Sequence, residues 1–393
     1  EHSNTTSDAD PNIFKDGQAS TFAVAFMDRE HKVGEAYTLR SYLSNWYTWL
    51  ASRYDRLSSD AIRGMLYEFL RGKSYIRQSG NGKSVVPVPM TRKLIWDVMD
   101  TMNMPSLCPI TRHPPCWLTK KNMPDPRDLI VFKNGILDVN EYMAGRVKVY
   151  NPDPDLFVMN TFPYDFNEDA RSKFVEDYFV EIFNGKNDII RLLQQWFGYN
   201  CVPDTRQEKM MLFTGQPRSG KSTTLDMLGG MLGQDQCCSL KMRHLIERFG
   251  QFSMVGKLAG LFGDVKTPRA GEAGPALETL LSIIGQDRIN VDRRYATEEM
   301  SSIKLFIRFT MTMNDLPAFS DNARALSPRM NIIYYPNTYV GSEKRDLKPH
   351  LEAEAKAGKM IVWALEGLKD LRQRGKFAEP TSSLEMLDTL ELS

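Results

Sequence analysis

The sequence has no apolar run approaching the roughly 18 residues of a membrane-spanning helix, and it does not open on the basic-then-apolar pattern of a secretory signal. These two absences lead to the expectation of a soluble, cytoplasmic protein with no membrane partner. An excess of one charge is also missing. Lys and Arg number 50 against 49 Asp and Glu, a formal net charge of +1, so any contact with nucleic acid must come from a local basic patch. Cysteine is scarce and odd in number, five in 393 residues with Cys237 and Cys238 adjacent. That usage argues against a disulfide framework and for a reducing compartment. The chain begins at Glu1 with no initiator Met, as a piece of a longer polypeptide would.

What is present is enough apolar residue, 42%, to build real cores in two or three domains. The stretch Lys209 to Gly233, KMMLFTGQPRSGKSTTLDMLGGMLG, organises the rest. Met210 to Phe213 reads as a buried strand, Gly215-x4-Gly220-Lys221-Ser222 as a loop that cradles phosphates, and Leu225, Leu228 and Leu232 as one face of the following helix. The chemistry needs that order. Glycines let the loop (Gly215, Gln216, Pro217, Arg218, Ser219, Gly220 and on to Thr223) turn its backbone N–H groups, which every member but Pro217 carries, toward a triphosphate, while the helix N-terminus adds positive potential. Lys221 reaches the β/γ-phosphates of ATP and the Ser222 hydroxyl can ligate Mg2+. A chance match in a chain this long has odds on the order of one in a hundred.

Upstream, residues 1–20 are polar and turn-forming and are expected to be a flexible tail. An α+β module (21–165) is expected next, with an aromatic strand at Trp46, Tyr47, Trp49 and Leu50, a helix capped by Ser58-Ser59-Asp60, a turn at Ser79 to Lys83 and a short helix from Arg92 to Met102. Cys108, His113 and Cys116 lie close together, but three prolines and the lack of a further ligand pair favour a Pro-rich loop over a zinc site. Asn134-Gly135 between two apolar runs signals a tight hairpin. Asp153 and Asp155 read as a solvated loop in preference to a metal pair. Two amphipathic helices, Phe174 to Phe183 and Asp188 to Phe197 with Gly198 as C-cap, form a helical collar (166–205).

A phosphate loop alone could belong to a kinase, a switch or a motor, so the downstream residues decide. Leu258 to Asp264 is apolar and ends in a carboxylate 43 residues after Lys221, where a metal-holding acid at the end of a parallel strand is expected. A helix follows between Pro275 and Gly285. The segment Asp287 to Glu299 then alternates and breaks at Asp292-Arg293-Arg294-Tyr295, placing two guanidiniums and a ring at a hairpin tip suited to the backbone and bases of a nucleic acid. Ile303 to Asn314 is apolar at every odd position and reads as one long strand, with Asn314 at its end placed to hold a water near a γ-phosphate. Fifteen residues later comes Arg329 in SPRMNII.

From about Thr38 to Leu392 the chain resembles the phage and plasmid primase–helicases, whose motor is a superfamily 3 helicase of the AAA+ class. The resemblance rests on VFKNGILDV, LLQQWFGY, GQPRSGKST, the acid at Asp264, INVDRRY, TMNDLP, ALSPRM and WALEGLKDLRQRGKF in that order. It implies an α/β, P-loop AAA+ core with a parallel sheet (206–340) and a C-terminal helical segment (341–393). It also implies a homo-oligomeric ring, usually hexameric, with ATP and Mg2+ between subunits. Gly215, Gly220, Lys221 and Ser222 would bind phosphates, Asp264 the Mg2+, Asn314 would be the polar sensor, Arg329 the finger given to the neighbour's site, and Arg293 and Arg294 the DNA grip. Arg294 stands where the family usually has Lys, and Val265 where a second acid is usual. The primase–polymerase domain that often precedes such motors is not recognisable. The activity implied is an ATP-driven replicative DNA helicase. The rivals are a non-unwinding ATP-dependent replication initiator or scaffold, and a P-loop small-molecule kinase.

Overall fold

The computed structural model describes residues 10–80, 82–108, 113–120, 122–247, 250–265, 273–291, 301–314 and 326–392. Among them no helix is long and apolar enough to cross a membrane. The chain divides into two compact units, residues 1–112 with 118–120 and 154–157, and residues 113–117 with 121–153 and 158–393.

In the first unit three helices, α1 (Ala19–Glu30), α2 (Ser59–Leu70) and α3 (Arg92–Ser106), enclose a core in which Phe22, Met27, Ile62, Leu66, Val98 and Met102 are fully buried. Ser58 starts α2 as expected, its hydroxyl accepting from the Ala61 N–H at 3.1 Å, and Thr91 caps α3 in the same way. Strand β1 (Ile13–Phe14) pairs in parallel with β5 (Ser74–Ser79), which forms a hairpin with β6 (Gly82–Pro87). A separate meander is built from β2 (Leu39–Tyr42), β3 (Asn45–Leu50) and β4 (Arg53–Leu57).

Two expectations fail here. The polar start is not a tail throughout, because Phe14 is buried edge-on against Phe22 with ring centroids 4.9 Å apart. One apolar pair in a polar stretch is enough to tie it to the core. Asp155 is not in a solvated loop either: it is 1% exposed and accepts from the N–H groups of Thr119 and Lys120 and from the Thr119 hydroxyl at 2.6–3.2 Å. A carboxylate with that many donors is a structural clamp.

The second unit opens with the hairpin β7 (Leu129–Phe132) and β8 (Gly135–Asp138), every residue of both strands buried. Phe132 pairs with Gly135, so the two-residue turn is Lys133-Asn134, one position before the expected Asn134-Gly135. Gly135 is needed for another reason, since a Cβ there would lie 2.2 Å from the Tyr150 carbonyl. Helices α4 (Lys173–Ile182) and α5 (Asn187–Asn200) follow. Then comes a five-stranded parallel sheet of β9 (Met210–Gly215), β10 (Cys237–Ser239), β11 (Ala259–Phe262), β14 (Arg308–Met313) and β15 (Met330–Tyr335), in the order β10-β11-β14-β9-β15. Between these run α6 (Lys221–Leu232), α7 (Ala273–Ile284) and an antiparallel pair, β12 (Arg288–Val291) with β13 (Ser301–Lys304). Helices α8 (Leu347–Lys356), α9 (Ile361–Arg374) and α10 (Thr381–Leu392) complete it.

Gly198 is not a C-cap. It lies inside α5, and a Cβ on it would meet the Ala364 carbonyl of α9 at 2.1 Å, while one on Gly367 would meet the Gln194 carbonyl at 2.2 Å. The two glycines let the helix backbones touch. The single strand expected from Ile303 to Asn314 is two, β13 and β14, in different sheets with Leu305 and Ile307 buried in or beside the link. Alternating apolar residues report burial on one face and say nothing about which strand is the partner.

Candidate functional site

Strand β9 is buried on both faces, as an interior strand of a parallel sheet must be, and it delivers the chain to Gly215 at the sheet's C-terminal edge. There φ is +140°, and a Cβ would lie 2.6 Å from the Tyr335 carbonyl. Arg218 (φ +60°) and Gly220 (φ +102°) are also left-handed, a rare choice for a non-glycine residue that turns the backbone back on itself. Helix α6 then starts at Lys221 with no side-chain cap and no acid in its first turn. Its first N–H groups are thus left for an anion.

Lys221 is 6% exposed, and its ammonium donates to the carbonyls of Gly215 (2.5 Å) and Gln216 (2.6 Å) and to the Ser219 hydroxyl (3.1 Å). Gln216, Pro217 and Arg218 are exposed, as is Ser222. The loop is held from outside by Thr338, whose hydroxyl donates to the Pro217 carbonyl at 2.9 Å, and by the Tyr339 N–H on the Arg218 carbonyl at 3.1 Å. From beneath, the buried Tyr178 hydroxyl of α4 bonds Thr223 and Thr224, burial raising its pKa well above the usual phenol. A Cβ at Gly220 would come within 2.8 Å of that hydroxyl, so only glycine fits over it.

Strand β14 stands between β9 and β11, with Met313 beside Thr214 and Met311 beside Phe262. This order brings three of the sequence-derived candidates to one edge: the 215–223 loop after β9, Asn314 after β14 and Asp264 after β11. Asn314 and Asp264 are exposed. Asp264 takes φ +50°, and its N–H donates to the Thr312 hydroxyl of β14 at 2.7 Å. The acid is therefore fixed to its neighbouring strand. A divalent cation with two protein ligands, Ser222 and Asp264, completed by ligand oxygens and water, matches the preference of Mg2+ for sparse protein coordination. The left-handed glycines, the uncapped helix and the buried ammonium fit a polyphosphate equally well.

Arg329 lies at the opposite edge. Its short 3-10 turn, Ser327–Arg329, leads into β15, where Met330 pairs with Met210 and Tyr335 with Gly215. Five steps at about 3.3 Å separate the two levels by roughly 17 Å, beyond the reach of an arginine side chain toward its own loop. Half-buried, it lines an open cleft of about 480 Å³ with Pro275, Glu278, Ser282 and Asp287. Arg293, Arg294 and Tyr295 lie outside the described residues, as does Arg324; the strands that flank the first three pair from Arg288↔Lys304 to Val291↔Ser301.

Sequence reasoning missed Arg308, Tyr178 and the two threonines of β14. Arg308 is 2% exposed and donates to the carbonyls of Val202 (2.5 Å) and Asn200 (2.7 Å) at the end of α5, with its guanidinium over the Tyr199 ring at 5.5 Å. Burial holds its pKa down to about 10. Thr310 accepts from the Trp196 indole at 2.9 Å, and Thr312 holds Asp264. Within β14 the polar residues Arg308, Thr310 and Thr312 alternate with Phe309, Met311 and Met313, and that was the available signal for these three.

A family profile described as a family of unknown function (DUF5906) matches residues 213–325, which run from within β9 through the loop, Asp264 and Asn314 and stop short of Arg329. The sequence matches no curated protein. Among solved structures, the A form apo structure of the NrS-1 C-terminal region is similar with a TM-score of 0.50 and 14% identity over 88% of this chain and 70% of that one. The apo structure of the same NrS-1 region (305–718) gives 0.50 and 13%, over 90% and 71%. The mixed α/β architecture with its parallel sheet is a fold this chain shares with the C-terminal region of NrS-1.

Proposed function

We propose that this chain is the ATP-hydrolysing motor of a DNA helicase or translocase serving a phage- or plasmid-type replicon, with a P-loop AAA+ core of the superfamily 3 kind. The observation that carries the reading is the strand order β10-β11-β14-β9-β15, because it gathers loop, polar sensor and acid at one edge and leaves Arg329 about 17 Å away at the other. A site divided in that way is complete only where two subunits meet, which is why a ring, hexameric by the family resemblance, belongs to the proposal.

Bound ATP would supply the phosphoanhydride, and Mg2+ would neutralise its charge. For their part, the loop N–H groups of 215–223 orient the phosphates, and Lys221 exchanges its three loop acceptors for phosphate oxygens. Ser222 and Asp264 hold the metal, and Asn314 orients water. A neighbour's Arg329 stabilises charge that develops in the transition state, an effect of about 10³-fold or more. Arg293, Arg294 and Tyr295, which in the sequence fall between β12 and β13, would grip single-stranded DNA, and the protein would work inside the host cell beside a primase or polymerase.

The test is ATP hydrolysis with and without single-stranded DNA, combined with strand displacement on a forked duplex. Stimulated hydrolysis with unwinding is expected. Stimulated hydrolysis without unwinding would reassign the chain as an assembly-type initiator, and hydrolysis indifferent to DNA would end the motor reading.

A further inference from the structure

The near-zero net charge conceals one segregated stretch. The 28 residues from Phe69 to Trp96 hold Arg71, Lys73, Arg77, Lys83, Arg92 and Lys93 and no acid. They include the β5–β6 hairpin, whose outer half is exposed on both faces, Arg77 to Ser79 on one strand and Gly82 to Val85 on the other, with Val85 58% exposed. Arg77 pairs with Ser84 and Lys83 with Gln78. Successive pairs face opposite sides of a ribbon, so each side carries one cation near the tip. Glycines 80 and 82 at the tip meet no atom within 4 Å of an added Cβ.

Within the stretch, Arg71 is paired with Glu68 at 3.2 Å and Lys73 lies over the Phe69 ring at 3.5 Å. Arg77, Lys83, Arg92 and Lys93 form no ion pair with any described residue. Arg92 and Lys93 moreover occupy the first turn of α3, where the helix dipole disfavours cations.

We infer that the β5–β6 hairpin is a second nucleic-acid contact that binds double-stranded DNA through its phosphates. A two-stranded ribbon with polar, cationic sides has the width and charge to enter a duplex groove. Single-strand binding depends on aromatic platforms, and residues Ile76 to Val86 contain none. This contact is independent of the ATP site, and its test does not involve nucleotide.

The experiment measures binding of the full chain, without nucleotide, to a short mixed-sequence duplex across a salt series. The proteins are the parent, Arg77→Ala/Lys83→Ala, and the charge-preserving Arg77→Lys/Lys83→Arg, each also in a Lys221→Ala background. The alanine pair should weaken duplex binding roughly tenfold and lower the salt slope by about 1.8, and the charge-preserving pair should restore both. Both side chains are exposed, so thermal melting should not change. An unchanged slope would overturn the proposal. So would an equal loss on single strands of the same length, or a loss confined to vesicles of anionic lipid.

Discussion

Two arginines stand at the same end of the central sheet, Arg308 opening β14 and Arg329 just before β15, and their surroundings suit them to different work. Arg308 is wholly buried and spends its guanidinium on the main-chain carbonyls that end α5. Arg329 is half-buried in an open cleft with Glu278 and Asp287. A cation locked beneath a helix can only brace the fold. One at an open edge can meet something brought to it. Residue type and sheet position are shared, so access to solvent is what separates scaffold from candidate chemistry.

The largest effect that would sharpen this comparison is on stability. Arg308→Met leaves two buried carbonyls without their donor and should lower unfolding free energy by about 2–5 kcal/mol. Arg329→Ala, at a half-buried position beside an open cleft, should change it by about 1 kcal/mol or less. Chemical denaturation of the two variants gives both numbers, and equal losses would erase the distinction between the arginines.

Next in size is Lys221→Ala. The ammonium is the only charge inside the 215–223 loop apart from the exposed Arg218, and its loss should reduce ATP turnover by about 100-fold or more with the circular-dichroism spectrum unchanged. Turnover near the parent rate would remove the loop from the reaction.

The smallest effect is at His31, which is 5% exposed and stacks edge-on against Phe26 at 4.8 Å. Burial lowers its pKa below the ordinary 6.5. The unfolded chain therefore takes up the proton first, and stability present above pH 6.5 should fall as the pH drops below it. Thermal melting from pH 7.5 to 5.5 should show the decline, and His31→Gln should flatten it. A parent profile already flat over that range would contradict the burial argument.

Much of this architecture was legible in the sequence, and for identifiable reasons. The strand, loop and helix around Lys221 are specified by local residues, as are the Ser58 cap and the hairpin at β7–β8, because glycine conformation, capping and apolar period act within a few positions. What escaped depends on distant partners. Gly198 faces α9, which lies more than 160 residues on. Asp155 serves Thr119, and Arg308 serves α5. The break between β13 and β14 was hidden because Ile303, Leu305, Ile307 and the odd positions of β14 are all buried and share one alternation. Within the site, Asp264 could be placed at a strand end, but its tether to Thr312 crosses between strands and leaves no local mark.

The central claim is that the site is divided between subunits, with Arg329 serving a neighbour's loop. Mixing Lys221→Ala with Arg329→Ala subunits tests it most directly. Each is expected to be inactive alone, one lacking its loop cation and the other the arginine it offers. After exchange, interfaces combining an intact Lys221 with an intact Arg329 should restore part of the ATPase rate, greatest at intermediate mixing ratios. A rate at background across all ratios, with mixed assemblies verified by mass, would contradict the account and pass the role to Arg324.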